Sequence, residues 1–322
     1  MFAVFAESFS ADDPLAGLRL DERPDPTPDD GWVTVDVKAT ALNHHDLWSL
    51  RGVGLTEDRL PMILGCDAAG VDADGNEVVV HAVIGDPAWS GDETLDPKRS
   101  LLSERYQGTF AERVVVPRRN VVPKPSSLTF EEAACLPTAW LTAYRMLFTQ
   151  AAVRPGDSVL VQGAGGGVAS AAVVLGKAAG LRVYVTSRDE AKGKRAVELG
   201  AVDAFEPGAR LPERVDAVLE TVGAATWSHS VKSLRPGGTL VISGTTSGAD
   251  PKSAELTRIF ILQLRVQGST MGTRDELRSL LGLLDVSGAR PVIDRVMPLD
   301  QARDGFAAMA DGDVFGKVVF TV

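Results

Sequence analysis

The sequence predicts an α/β protein of two domains, one β-rich and one built on a doubly wound parallel sheet. Three observations lead there. The 322 residues are too many for one ordinary core, and about 150 residues is a common domain size. Before about residue 122 the chain reads as short strands punctuated by Gly and Pro. After it, apolar runs alternate with helical runs, the pattern of parallel βαβ units.

In the first half, Trp32 to Leu42 alternates partly, with Val33, Val35 and Val37 on one face. The runs "NEVVVHAVIG" and "FAERVVVP" are further strands. Asp86 to Gln107 is polar and turn-rich, which predicts a surface excursion. Near Ser126 the texture changes. "SLTFEEAACLPTAWLTAYRMLF" opens with hydroxyl residues and has Glu131 and Glu132 in its first turn, the start of a helix that Pro137 should break or kink. "SVLVQG" and "RVYVTS" then read as buried strands, with "VASAAVVLGKAAG" and "EAKGKRAVELG" as the helices that follow them. Beyond Gly272 come an amphipathic helix, "VIDRVMPL", a helix at Gln301 to Ala310, and a strand "KVVFTV" that returns to the N-terminal part. The expected division is 1–122 with 273–322, and 123–272 between them.

Composition narrows the function. The net charge is -10 and no Lys/Arg cluster stands out, which argues against a nucleic-acid partner. Cys66 and Cys135 are the two cysteines; neither forms a CxxC pair, so two free thiols in a cytoplasmic protein are expected. The N-terminus has no signal-peptide pattern, and no apolar stretch is long enough for a membrane span.

The glycine run carries the chemistry. "SVLVQGAGGGVASAA" sets Gly163, Gly166 and Ala169 three residues apart at a strand–helix junction, with Ala164, Gly165, Gly167 and Val168 between them. Glycine allows the tight turn, and the helix start offers backbone N–H groups to a pyrophosphate. At the end of the next strand an NAD site carries an acid; here Ser187 stands there, followed by Arg188, with Lys192 in the next segment. A hydroxyl and cations suit a 2′-phosphate, so NADP(H) is preferred over NAD(H), although Asp189 opposes this and both cations also read as ordinary surface charges. Thr221, Val222 and Gly223, then Ser243, Gly244 and Thr245, end later strands and are expected to border the same dinucleotide.

The order of segments resembles the medium-chain dehydrogenase/reductase superfamily over nearly the whole chain, and within it the quinone oxidoreductase branch. "ALNHHDLWSLRG", "LPMILGCDAAG", "GTFAERVVVP", "LPTAWLTAYRML", "VLVQGAGGGVASAAVVLGKAAG" and "GKVVFTV" carry the resemblance. It implies a GroES-like catalytic domain completed by the C-terminal segment, a Rossmann domain, and an active cleft between them. It also implies that the zinc ligands of zinc-dependent members fall at Asn43, Cys66 and Thr138. Asn and Thr are poor zinc ligands, so no zinc is expected; His44, His45 and Asp46 are the residues able to join Cys66. The lobe for a structural zinc, near Asp86 to Gln107, has no Cys.

The resemblance then implies hydride transfer from NADPH to an acceptor activated by conjugation, a quinone or an enone. An alcohol dehydrogenase or 2-enoyl-thioester reductase is the nearest alternative, and a non-catalytic NADPH-binding sensor is the alternative of another class. Asn43 is expected to donate to the acceptor carbonyl and to contact the cofactor, Asp46 to orient Asn43 or a histidine, and Thr138 and Thr142 to lie near the nicotinamide. Trp48 and Trp140 are candidate walls, His44 or His45 the proton donor, and Lys317 a contact to the cofactor phosphates, unless it is merely an exposed strand charge. The partners expected are a small-molecule substrate and a second copy of the chain, joined at the apolar edge "TRIFILQLRVQGS".

Overall fold

The computed structural model describes residues 1–322. The chain forms two compact units, Met1–Leu141 with Met271–Val322, and Thr142–Thr270.

The first unit is built around the strand Trp32–Ala41. It pairs antiparallel with Asp67–Asp72, with Arg113–Pro117 and with the C-terminal strand Lys317–Thr321. The alternation read from the sequence is realised: Val33, Val35 and Val37 are buried with Val114 and Val116 in one apolar cluster. Val319 lies opposite Ala41, so the last strand does return to the first unit.

The unit boundary falls at 141/142 rather than 122/123. The helix Phe130–Ala134 packs on the strands Trp32–Ala41 and Asp67–Asp72, which keeps it with the β-rich unit. Its start is the expected capping box, with Glu132 N–H donating to Thr129 Oγ1 and Thr129 N–H to Glu132 Oε2. The α-helix ends at Ala134, three residues before Pro137, so the regular helix is broken there as expected. Pro137 sits second in a π-helical turn, Leu136–Trp140, where its missing N–H is absorbed and helix resumes at Leu141. The Asp86 to Gln107 segment is less superficial than its polarity suggests. Asp96 is buried and accepts from the N–H groups of Asp86 and Lys98, so buried carboxylate bonds tie the loop down.

The second unit is a six-stranded parallel sheet. Its order is Asp203–Phe205, Arg182–Thr186, Ser158–Val161, Val215–Glu220, Leu234–Ile242, Arg265–Gly268. The winding reverses beside Ser158–Val161, the topological switch point at which open α/β sheets bind ligands. Ser158–Val161 is buried throughout, as a continuous apolar run should be. The helix that follows, Gly167–Ala178, buries Ala169, Ala171, Ala172 and Gly176. A Cβ on Gly176 would collide with the Val183 side chain of the neighbouring strand. No helix of the protein is long and apolar enough to cross a membrane.

Gly176→Ala is therefore expected to destabilise the protein by about 1–3 kcal/mol through overpacking. A lower denaturant midpoint at unchanged slope would show it; an unchanged midpoint would mean the helix shifts freely.

Candidate functional site

In the second unit the chain leaves Ser158–Val161 through Gln162 and Gly163. Gly163 has φ of +99°, a left-handed conformation that favours glycine for its backbone alone, since a Cβ there would meet nothing within 4 Å. Gly166 is the N-cap of Gly167–Ala178 and brings no side chain to it, so the first-turn N–H groups face outward uncapped. The space around Gly166 is also open, with no heavy atom within 4 Å of where a Cβ would stand, as a phosphate cradle needs.

A buried polar chain holds this turn. Gly163 N–H donates to Thr186 Oγ1 at 3.0 Å, and Thr186 Oγ1 donates to Gln162 Oε1 at 2.8 Å. Gln162 Nε2 donates to Ser230 Oγ at 2.9 Å, and Ser230 Oγ donates to Glu220 Oε2. Glu220 is fully buried, yet its Oε1 also accepts from the N–H groups of Val222 and Gly223 at 2.8 and 2.9 Å. Its charge is thus compensated by donors rather than by a cation. Gln162, Thr186, Ser230 and Glu220 escaped the sequence reading. The available signal was a polar residue at the end of each apolar strand, which is also ordinary turn chemistry.

The later strand ends lie against one another. Gly244 approaches the Thr221 backbone, and Gly223, at φ of +93°, lies against Thr245 and the Gly248 carbonyl. Val222 is held by Glu220, and Ser243 Oγ donates to Met146 Sδ. Ser187 follows Thr186 directly; its hydroxyl donates to the Asp189 carbonyl at 2.7 Å. Arg188 is exposed. Asp189 caps the next helix, accepting from the N–H groups of Ala191 and Lys192, so its carboxylate is engaged locally. Thr142 is buried in the helix Leu141–Tyr144.

In the first unit Asn43 caps the helix His44–Leu50. Its Nδ2 donates to Asp67 Oδ2 at 2.8 Å and to the Ala41 carbonyl at 3.2 Å, and its Oδ1 accepts from Lys317 Nζ at 2.6 Å. Both amide hydrogens are spent, so Asn43 has none left for an acceptor carbonyl, contrary to expectation. Asp46 is also committed: Oδ2 accepts from Asn43 N–H and Oδ1 from Gly65 N–H. It orients Asn43 as a cap. Lys317 is not an exposed strand charge, and its ammonium is spent on partners within the first unit. It is 2% exposed, with Nζ bonded to Asp67 Oδ2, Asn43 Oδ1 and the Leu42 carbonyl, because a buried ammonium must be paired. Trp140 is wholly buried and walls no opening, while Arg51 covers the Trp48 face at 5.0 Å. Thr138 Oγ1 is buried and has no hydrogen-bond partner.

Beside this group, His45 Nε2 lies 3.1 Å from Glu104 Oε1, and His45 Nδ1 lies 3.5 Å from Cys66 Sγ. Burial opposes charge on His45, but Cys66, Asp46 and Glu104 outweigh it and hold its pKa well above the usual imidazole value. Burial pushes the Cys66 thiol up, against the pull of His45. Cys135 is pushed by burial to about 12.

Two family models match the chain: an alcohol dehydrogenase GroES-like domain over 29–126 and a zinc-binding dehydrogenase over 167–285. The solved structure of an NAD-dependent alcohol dehydrogenase is 34% identical, covers both chains completely and superposes with a TM-score of 0.92. The chain belongs to the medium-chain dehydrogenase/reductase superfamily. It is an NAD(P)H-dependent oxidoreductase with a GroES-like β-rich unit and a Rossmann-type parallel sheet. An acryloyl-coenzyme A reductase of Sulfurisphaera tokodaii is 28% identical over 95% of this chain and 97% of its own. A crotonyl-CoA carboxylase/reductase solved with NADP is 25% identical, covers 100% of this chain and 95% of its own, and has a TM-score of 0.88.

The zinc arrangement of this superfamily does not fit the residues present. Of Asn43, Cys66 and Thr138, only Cys66 is a good ligand, and Asn43 Oδ1 already holds the Lys317 ammonium. No chemical step is assigned to a metal there.

Removing one partner of the Lys317–Asp67 pair leaves a buried uncompensated charge. Lys317→Ala should cost about 3–5 kcal/mol of stability, and Lys317→Met combined with Asp67→Leu should recover most of it. Denaturant unfolding of the single and double variants tests this; equal losses in both would discard the pairing argument.

Proposed function

We propose that this protein uses NADPH to reduce a conjugated carbonyl acceptor, a quinone or an enone, without a metal at Asn43, Cys66 and Thr138. The observation that carries the reading is the uncapped helix start at Gly166, held open by Gly163, with Ser187 and Arg188 at the next strand end. The backbone N–H groups take the pyrophosphate. Ser187 and Arg188 take the 2′-phosphate, and Asp189 does not oppose them because its carboxylate is engaged as a cap. When bound, the reduced nicotinamide supplies the hydride.

A conjugated acceptor needs less polarisation than an alcohol or simple ketone, which suits a site with a good zinc ligand at only one of the three family positions. Thr138 replaces Asn43 as the donor to the acceptor oxygen, since its hydroxyl is buried and unpartnered. His45, its side chain 20% exposed, holds the proton that follows. Asn43, Asp46 and Lys317 act as positioning residues. A second reading, reduction of a 2-enoyl thioester, is favoured by the likeness to the acryloyl-coenzyme A reductase over 95% of the chain. Two buried free thiols suit the reducing cytoplasm.

Steady-state rates on quinones, enones, enoyl thioesters and alcohols, before and after chelation, decide between these readings. Conjugated acceptors should be turned over and chelation should not matter. Alcohol oxidation abolished by a chelator would remove the proposal.

Arg188→Ala should raise the KM for NADPH about tenfold and leave that for NADH unchanged, because one charged hydrogen-bonding partner is lost. Equal effects on both cofactors would withdraw the 2′-phosphate role.

A homodimer joined along Arg265–Gly268 completes the proposal. That strand is the sheet edge and all four residues are exposed, beside Leu256, Phe260 and Ile261 at 70%, 69% and 61% exposure. Sedimentation at micromolar concentration should give a dimer; a monomer refutes this part.

A further inference from the structure

We infer that His45, Asp46 and Cys66 form a binding site for one divalent ion of zinc's class, displaced from the Asn43–Cys66–Thr138 positions. The inference goes beyond the proposed reduction, which takes no step through this ion and uses His45 as proton donor in the ion-free protein.

The ligand atoms are already gathered. His45 Nδ1, one Asp46 carboxylate oxygen and Cys66 Sγ all lie within 4.8 Å of one another. Bond lengths of about 2.3 Å to sulfur and about 2.0–2.2 Å to nitrogen and oxygen imply tetrahedral edges of roughly 3.6 Å for S···N and roughly 3.4 Å for N···O. The observed Sγ···Nδ1 separation is 3.5 Å and Nδ1···Oδ1 is 3.9 Å. Closing the site takes a contraction of a few tenths of an ångström between Nδ1 and Oδ1, and a movement of the Cys66 and Asp46 side chains toward each other from a separation within 4.8 Å. One thiolate, one imidazole and one carboxylate suit zinc or cobalt better than magnesium or calcium. Three protein ligands leave a fourth position for water.

A second observation supports the site. Metal-binding imidazoles usually donate their other N–H to a carboxylate, which fixes the tautomer. His45 Nε2 has that partner in Glu104 Oε1 at 3.1 Å, so an ion that displaces the Nδ1 proton meets a lone pair facing Cys66. The carboxylate of Asp46 is oriented by Asn43 N–H and Gly65 N–H, and each oxygen keeps a second lone pair. The sulfur now donates to the Leu102 carbonyl at 3.1 Å, a bond it gives up on binding. An ion reaches the cluster past His45 and Glu104, whose side chains are 20% and 26% exposed. Binding replaces the Cys66 thiol proton and the Nδ1 proton of a protonated His45 by the ion, and both protons go to solvent.

The experiment is a titration of chelator-stripped, full-length protein with Co²⁺, read by absorbance. One ion per chain should bind with a thiolate-to-cobalt charge-transfer band in the near ultraviolet. The band should vanish in Cys66→Ser and persist in Cys135→Ser. Glu104→Gln should weaken binding about 10–100-fold. Thr138→Val should leave the band unchanged. No thiolate band in the wild type overturns the inference, as does a band surviving in Cys66→Ser. A band lost in Thr138→Val but kept in His45→Gln returns the ion to the family positions and also overturns it. Should Cys66→Ser fail to fold, His45→Gln must abolish tight binding, and retained binding counts against the site. NADPH binding, followed by nicotinamide fluorescence on the same stripped protein, tests the cofactor reading separately.

Discussion

The turn at the head of the second unit's sheet is arranged around one helix whose first N–H groups no side chain caps. Gly167–Ala178 begins at Gly166, which has no side chain to cap it. Gly163 adopts φ of +99° to deliver the chain there, and its N–H is fixed by Thr186 on the neighbouring strand. Thr186 is fixed in turn by Gln162, and Gln162 by Ser230, whose hydroxyl ends on Glu220. A turn with three glycines in succession would otherwise be mobile. Here the rigidity comes from side chains on three strands and a helix, each fully paired, and a partly paired network of this kind would cost more than an apolar one. Glu220 links the glycine turn, through Ser230 and Gln162, to the Val222–Gly223 turn, so two loops at the same end of the sheet share one buried carboxylate.

The first unit solves a related problem with charge. Lys317, from the last strand, must be paired because it is buried, and Asp67 and Asn43 pair it. The backbone register that sets Val319 opposite Ala41 delivers the ammonium to this place. Asn43 is consumed as a partner in this group, whereas the Thr138 hydroxyl has no hydrogen-bond partner.

Much of the fold was legible. The valines at 33, 35 and 37 alternate because one face of their strand is buried, and alternation survives in sequence. The run Ser158–Val161 is apolar throughout because both faces of a parallel sheet are covered. The domain boundary was harder: the helix Phe130–Ala134 has the texture of the second unit but packs on strands of the first, and packing partners leave no local signature.

The sequence by itself determined the alternation of elements, the glycine turn at a strand–helix junction and the lack of a full zinc ligand set. These are local facts, fixed by which residues can adopt a left-handed turn, fill a two-sided sheet or donate a lone pair. Tertiary structure alone decided how the polar residues are spent. Lys317 and Asn43 are 274 residues apart in sequence yet share a hydrogen bond, and Gln162 and Ser230 are 68 apart. Spacing cannot report such pairings, because a buried donor is free or committed according to what the fold sets beside it.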